Sequence, residues 1–220
     1  MKKLCKILKK KDVGSIGIGA MIVFIAMVLV AGIAASVLIS TSTNLEMQAL
    51  KTGRETIDDV ASGIKVEGVE GYQSSDLLTK MAIEVASRSG SPDVDLGQAV
   101  VEISDSSNKY VLRYDSSDGA CAAATAVDGD LFAVGNFGDS DDFDLIVLQD
   151  ADSSCSTSTP IINYGDHVVI AITTSDVFSS NSGISPRTDV SGMVIVEEGA
   201  PGIIGFTTPS SYTDATMELQ

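Results

Sequence analysis

The chain has no tryptophan, one histidine, three cysteines and five prolines in 220 residues, and no charged side chain from Ser15 to Leu45. Each shortage excludes something. With His167 as the sole histidine, a Ser-His-Asp relay would need a nucleophile on a Gly-x-Ser-x-Gly elbow, and no such sequence occurs. His167, next to Asp166 in a predicted strand, reads as a satisfied or surface histidine. There is no Gly-Lys-Ser/Thr phosphate loop, and Gly17-Ile18-Gly19 lacks the third glycine of a dinucleotide fingerprint. Neither an enzyme nor a cofactor is expected. Basic residues are scarce beyond residue 14, where 8 Lys and Arg face 29 Asp and Glu, a net charge of −21. A surface of that sign repels nucleic acid and anionic headgroups and excludes both as partners of that part.

What the chain does have is an ordered start. Six lysines lie within the first eleven residues, followed by Gly14-Ser15 and the apolar stretch Ile16 to Ile39. As a helix that stretch covers roughly 36 Å, against a bilayer core of roughly 30 Å. Lysines on one flank keep that flank cytoplasmic, so everything after residue 45 is expected outside the cell. Past Leu45 the apolar spacing continues as Met47, Leu50, Ile57, Ala61 and Ile64, with Arg54 in the one missing seam position. The spacing predicts one helix over residues 15–64, ended by Gly68 and Gly71, whose seam needs partner helices.

Beyond residue 70 the period becomes two. Met81 to Val85, Val94 to Ile103, Tyr110 to Tyr114, Phe143 to Leu148, His167 to Ile172, Met193 to Val196 and Ile203 to Phe206 alternate, separated by Gly, Ser, Asp and Pro clusters. Residues 70–220 are therefore expected to form an acidic, extracellular antiparallel β-sandwich or barrel, giving an α+β chain. Ser153 to Thr159 reads as an exposed loop. Cys121 and Cys155 are expected to pair outside the cell, closing a loop of about 35 residues worth roughly 3–4 kcal/mol; the alternative is two unconnected thiols. The run Asp139 to Asp144 does not fit an EF-hand, because its Gly and terminal Glu are missing. A solvated acidic turn is the expectation, with a cation site on Asp139, Asp141, Asp142 and Asp144 as the alternative.

The charged-then-apolar start admits three readings: a discarded signal cut near Ala34-Ala35-Ser36, a plain membrane anchor, or a cut at Gly14-Ser15 that keeps the apolar segment. The third explains more. Gly17 and Gly19 add small residues early in the span, and Ala31 with Ala35 and Gly32 with Ser36 place small residues at i and i+4, which lets helices approach closely where lipid supplies no hydrophobic drive. Phe24 and its large neighbours can then interlock across helices.

The run Gly17 to Ala31 resembles the N-terminus of archaeal flagellins (archaellins). Gly90-Ser91-Pro92-Asp93-Val94-Asp95-Leu96, Ile184-Ser185-Pro186-Arg187-Thr188, Gly199-Ala200-Pro201-Gly202 and Phe206-Thr207-Thr208-Pro209 also resemble that family. The resemblance implies a subunit of the archaellum, the rotating filament of archaeal swimming. It implies removal of residues 1–14 by a membrane-embedded prepilin peptidase, a filament core of bundled N-terminal helices, and immunoglobulin-like β domains around it. The implied partners are other copies, the peptidase, the assembly and motor machinery, and the membrane before assembly. Asp12 departs from the basic or neutral residues usual before the cut. Archaellins are commonly N-glycosylated, yet Asn44, Asn108, Asn136, Asn163 and Asn181 all lack the Asn-x-Ser/Thr acceptor, so acidity must keep this surface hydrated. An adhesive pilin and a tethered binding module are the alternatives.

Overall fold

The structure is a computed structural model that describes residues 2–115, 121–122, 129–133, 137–179 and 182–220; the side chains of residues 2–15 and 121–122 lie outside that description. The chain divides into two compact units, Met1–Arg54 and Glu55–Gln220.

The first unit is helical. Helix α1 runs Lys2–Ala61, so it begins well before the expected residue 15 and ends three residues before the expected 64. Leu, Ile, Met and Ala sustain it; Thr41 and Thr43 fold their hydroxyls back onto the carbonyls of Val37 and Ile39, each at 2.9 Å, which satisfies those two donors within the helix. Its apolar side chains face outward: Ile22, Phe24, Leu29, Val30 and Leu38 are all exposed.

The second unit is a ten-stranded sheet and a small three-stranded one. Its strands are β1 (Ile64–Ser74), β2 (Leu77–Ser87), β3 (Val94–Asp95), β4 (Val100–Ser104), β5 (Lys109–Tyr114), β6 (Cys121–Ala122) and β7 (Asp142–Gln149). They continue with β8 (Cys155–Ser156), β9 (Thr159–Ile162), β10 (His167–Ile172), β11 (Asp189–Ile195), β12 (Gly202–Thr207) and β13 (Thr216–Glu218); a single helical turn, α2 (Thr174–Val177), follows β10. The large sheet runs β12-β11-β4-β5-β7-β10-β2-β1-β13, with β6 against β7, and the small one runs β3-β9-β8. Two pairs depart from an antiparallel arrangement: β7 lies parallel to both β5 and β6.

The sheet curls until its two ends meet. Gln220 accepts the Gly205 N–H at 2.8 Å and donates to the Ile203 carbonyl at 3.3 Å, while Leu219 N–H reaches Val69 O at 2.7 Å. The enclosed core holds Ile64, Met81, Ile83, Val101, Leu112, Phe143, Leu145, Ile170, Val194 and Phe206. Alternation is clean on β12, where Ile204 and Phe206 point in and Ile203 and Thr207 point out. On β10 it fails, because Val169 and Ala171 pack outward with Ala82, Phe132 and Ile146 in a second small cluster. A strand covered on both faces carries apolar residues continuously, as Val168 to Ile172 does.

Three expectations need correction. Residues 64–74, read as helix end and spacer, form β1, so the β-rich part starts at Ile64 and not at residue 70. The helical seam stops because Gly63 sits at φ +123°, where an L side chain is strained, and Ile64 N–H then pairs with Ala200 O at 3.2 Å. Val94 to Ile103 is not one strand: Asp95 Oδ1 accepts Gly97 N–H at 2.8 Å and turns Leu96–Gln98 into a short 3₁₀ segment. Ser153 to Thr159 is not a featureless loop, since Cys155 pairs with Pro160 in a β8–β9 hairpin.

Candidate assembly surface and processing site

Two classes of glycine differ in a way that locates the surface. A Cβ added at Gly17, Gly19 or Gly32 would meet nothing within 4 Å. A Cβ at Gly138, Gly192 or Gly199 would strike backbone. The second class is needed for folding. The first meets no steric need among the described residues, and glycine costs about 0.5–1 kcal/mol in a helix interior, so its placement on α1 suits close approach by a neighbouring helix.

Around Ala31 the helix surface forms a shallow apolar groove lined by Val23, Ala26, Met27, Val30, Ala31 and Ala34. The small side chains make its floor, and Val23, Met27 and Val30 make its walls. Of the residues singled out from sequence, Ala31 lies in this groove; Gly32, Ala35 and Ser36 continue around the helix, and Phe24 stands beside Val23, all exposed. Such a surface accepts another helix of like shape, or lipid. The segment Ile16–Ala61 is long and apolar enough to cross a membrane. The seam residues Met47, Leu50 and Ile57 are likewise exposed.

Gly14 and Ser15 lie within the continuous backbone of α1, with their side chains outside the described residues. The proposed Cys121–Cys155 pair rests on the Cys121 side chain, also outside them. The backbone shows Cys121 opposite Leu145 on β7 and Cys155 anchored by its N–H to Asp150 Oδ2 at 3.0 Å.

Asp139 and Asp141 occupy the exposed turn before β7, and Asp142 and Asp144 lie half-buried on the strand itself. Burial, then the nearby charges of Asp115, Asp141 and Asp139, pushes the Asp142 carboxyl up. Among the described residues these four do not converge as a ligand set. Two other sets do, each with ligand atoms within 4.8 Å of one another: Asp150, Asp152 and Asp166, and Glu67, Glu84 and His167. Sequence reasoning missed both, because a loop return brings Asp166 to Asp150 and Asp152, and strand pairing brings together Glu67, Glu84 and His167, up to 100 residues apart in the chain. In the first set Asp150 Oδ1 accepts Ser153 N–H at 2.7 Å, and Asp166 Oδ2 accepts Asn163 N–H at 2.9 Å. Asp152 accepts from the Asn163 side chain at 2.7 Å, and that bond, with help from Ser154, holds its carboxyl below the usual range. Oxygen donors of this kind suit a hard cation, and here they also order the loop around β8.

The remaining motifs prove to be architectural. Thr208 Oγ1 donates to Ser185 O at 2.9 Å and accepts Thr188 N–H at 2.8 Å; Arg187 N–H reaches Pro209 O at 3.1 Å, and Tyr212 OH reaches Ile184 O at 3.1 Å. The segments 184–188 and 206–209 thus form one knot. A second knot joins Ser62-Gly63 to Ala200 and to Ser91, whose hydroxyl accepts Gly63 N–H at 3.3 Å.

A family model described as archaeal-type flagellin matches residues 14–206. Flagellin B2 of Methanocaldococcus jannaschii is 42% identical over 221 residues, spanning 99% of this chain and 100% of that protein. Flagellin B3 of Thermococcus kodakarensis is 38% identical over 259 residues, spanning 98% and 100%. The crystal structure of an archaeal flagellin from Methanocaldococcus jannaschii superposes with a TM-score of 0.65 at 35% identity, covering 73% of this chain and 98% of that one. A structure of the archaeal flagellum of Methanospirillum hungatei has the same fold, with a TM-score of 0.61 at 15% identity over 91% and 98% of the two chains. With a long apolar helix, a curled β domain and relatives matched from end to end, this chain belongs to the archaeal-type flagellin family.

Proposed function

We infer that the chain is a structural subunit that polymerises through α1 into an extracellular archaellum filament used for swimming. One observation carries this reading: α1 exposes Ile, Val, Leu, Met and Phe on every side, with Gly17, Gly19 and Gly32 open to a distance of 4 Å among the described residues. So large an apolar surface is not tolerated in water. It must lie in lipid or against other helices. Its backbone is hydrogen-bonded internally, so transfer from bilayer to a dry bundle of copies leaves no polar group unmet.

The same reading assigns residues 1–14 as a leader that holds the precursor at the cytoplasmic face. A prepilin peptidase cuts between Gly14 and Ser15, which removes six lysines opposing withdrawal of the helix from lipid. The mature subunit then joins other archaellins through the assembly machinery, and the motor supplies the energy. The chain is a structural part and not a catalyst.

N-terminal sequencing of material sheared from cells tests the assignment. A start at Ser15 in filament preparations is the expected result. A start near Ser36 would instead identify a discarded signal, and an intact leader with no filaments would identify a membrane-tethered module.

A further inference from the structure

We propose that Glu67, Glu84 and His167 form a binding site for a divalent transition metal ion of the zinc class on the outer face of the β domain. The placement comes from the strands. His167 and Val169 share one face of β10, and Glu84 pairs with Val169 across β2, so Glu84 and His167 are diagonal neighbours on that face. Glu67 reaches the same face through a bulge: Val66 pairs with Val85 and Gly68 with Glu84, leaving Glu67 as the extra residue. Bulges re-aim side chains in this way.

The donor geometry supports a metal over a simple hydrogen bond. His167 Nδ1 lies 3.2 Å from Glu67 Oε2 and 3.5 Å from Glu84 Oε1. That nitrogen is shielded from solvent and aligned for a hydrogen bond with neither oxygen. Two ligands bound to Zn²⁺ at roughly 2.1 Å with a tetrahedral angle stand about 3.4 Å apart, which is the spacing seen. The second oxygen of Glu67 is held by Lys65 Nζ at 2.9 Å, the kind of outer support that orients a ligating carboxylate. One imidazole with two carboxylates suits Zn²⁺ or Co²⁺ better than Ca²⁺, which takes oxygen ligands. All three side chains are partly accessible, so an ion can enter and water can complete the coordination. The bound ion would clamp the β1 bulge to β10. This inference stands apart from the filament reading, since it concerns only the β domain.

His167 is the only histidine, which makes it its own reporter. Purified full-length protein in detergent is titrated with Zn²⁺ alone against a chromogenic chelator, and His167 modification by diethyl pyrocarbonate is followed by mass spectrometry. One equivalent of Zn²⁺ should bind and protect His167 from modification. His167→Gln should weaken binding about 100-fold and Glu84→Gln about 10-fold or more. Millimolar Ca²⁺ should not displace the ion. Absence of Zn²⁺ binding, binding that leaves His167 reactive, or displacement by Ca²⁺ overturns the proposal. The protection assay needs no variant, so a folding defect in His167→Gln does not rescue the idea.

Discussion

Thr208 and Ser185, 23 residues apart, are joined by a hydroxyl-to-carbonyl hydrogen bond of 2.9 Å, and the same hydroxyl receives the Thr188 N–H at 2.8 Å. Thr208 is buried, so both backbone partners would be left unmet without it. Thr208→Val keeps the shape and removes the hydroxyl. It should cost about 2–3 kcal/mol, seen as a lower denaturation midpoint with unchanged slope. A loss below about 0.5 kcal/mol would show that water replaces the hydroxyl there.

Gly63 and Gly53 should respond to alanine in opposite ways. Gly63 holds φ +123° with its Cβ direction filled by the Ala200 backbone, so Gly63→Ala should destabilise the β domain by about 3 kcal/mol or more. Gly53 lies in α1 with nothing within 4 Å, so Gly53→Ala should add about 0.5–1 kcal/mol of helix stability. Circular dichroism during urea titration distinguishes the two.

Gly32→Leu separates folding from assembly. The site is open within the chain, so the variant should keep its helix content and its β-domain melting temperature. A leucine there would hold neighbouring helices apart and should abolish filaments under electron microscopy. Normal filaments from this variant would place the packing surface elsewhere on α1.

Asp142 carries a pH signature. Its folded-state carboxyl is raised, so between the ordinary aspartate value and that raised value the folded chain binds more protons than the unfolded one. Stability contributed by this residue therefore falls as pH rises through that window. Asp142→Asn should stabilise the protein at neutral pH by about 0.5 kcal/mol, a gain that shrinks on acidification. Melting temperatures of both forms at pH 7 and pH 4 measure it, and equal gaps at the two values would exclude the effect.

Much of this architecture was readable from the chain. A charge-free stretch of 31 residues has one stable form, and Ile203 to Phe206 shows a period of two because only one of its faces is covered. Residues 64–74 were not legible. Their Gly-Val-Glu-Gly composition fits helix end and strand equally, and the choice is made by Ala200, 137 residues beyond Gly63. The two carboxylate sets escaped for the same reason. The dense run Asp139 to Asp144 drew attention by proximity in sequence, whereas Glu67, Glu84 and His167 are neighbours only after β1, β2 and β10 pair. The Gly14-Ser15 junction stands out only in the sequence, by the change from a lysine-rich head to an apolar run, because in the fold it lies within the continuous backbone of α1.

The Gln220 carboxamide offers β12 one acceptor and one donor, at Gly205 and Ile203, much as an adjoining strand's peptide would. A polymer crowds its outer domains to concentrations at which any bare strand margin invites fusion with the next copy. With one of its own side chains bonded at Gly205 and Ile203, the domain leaves fewer bare peptide groups on that margin for a neighbouring strand to join.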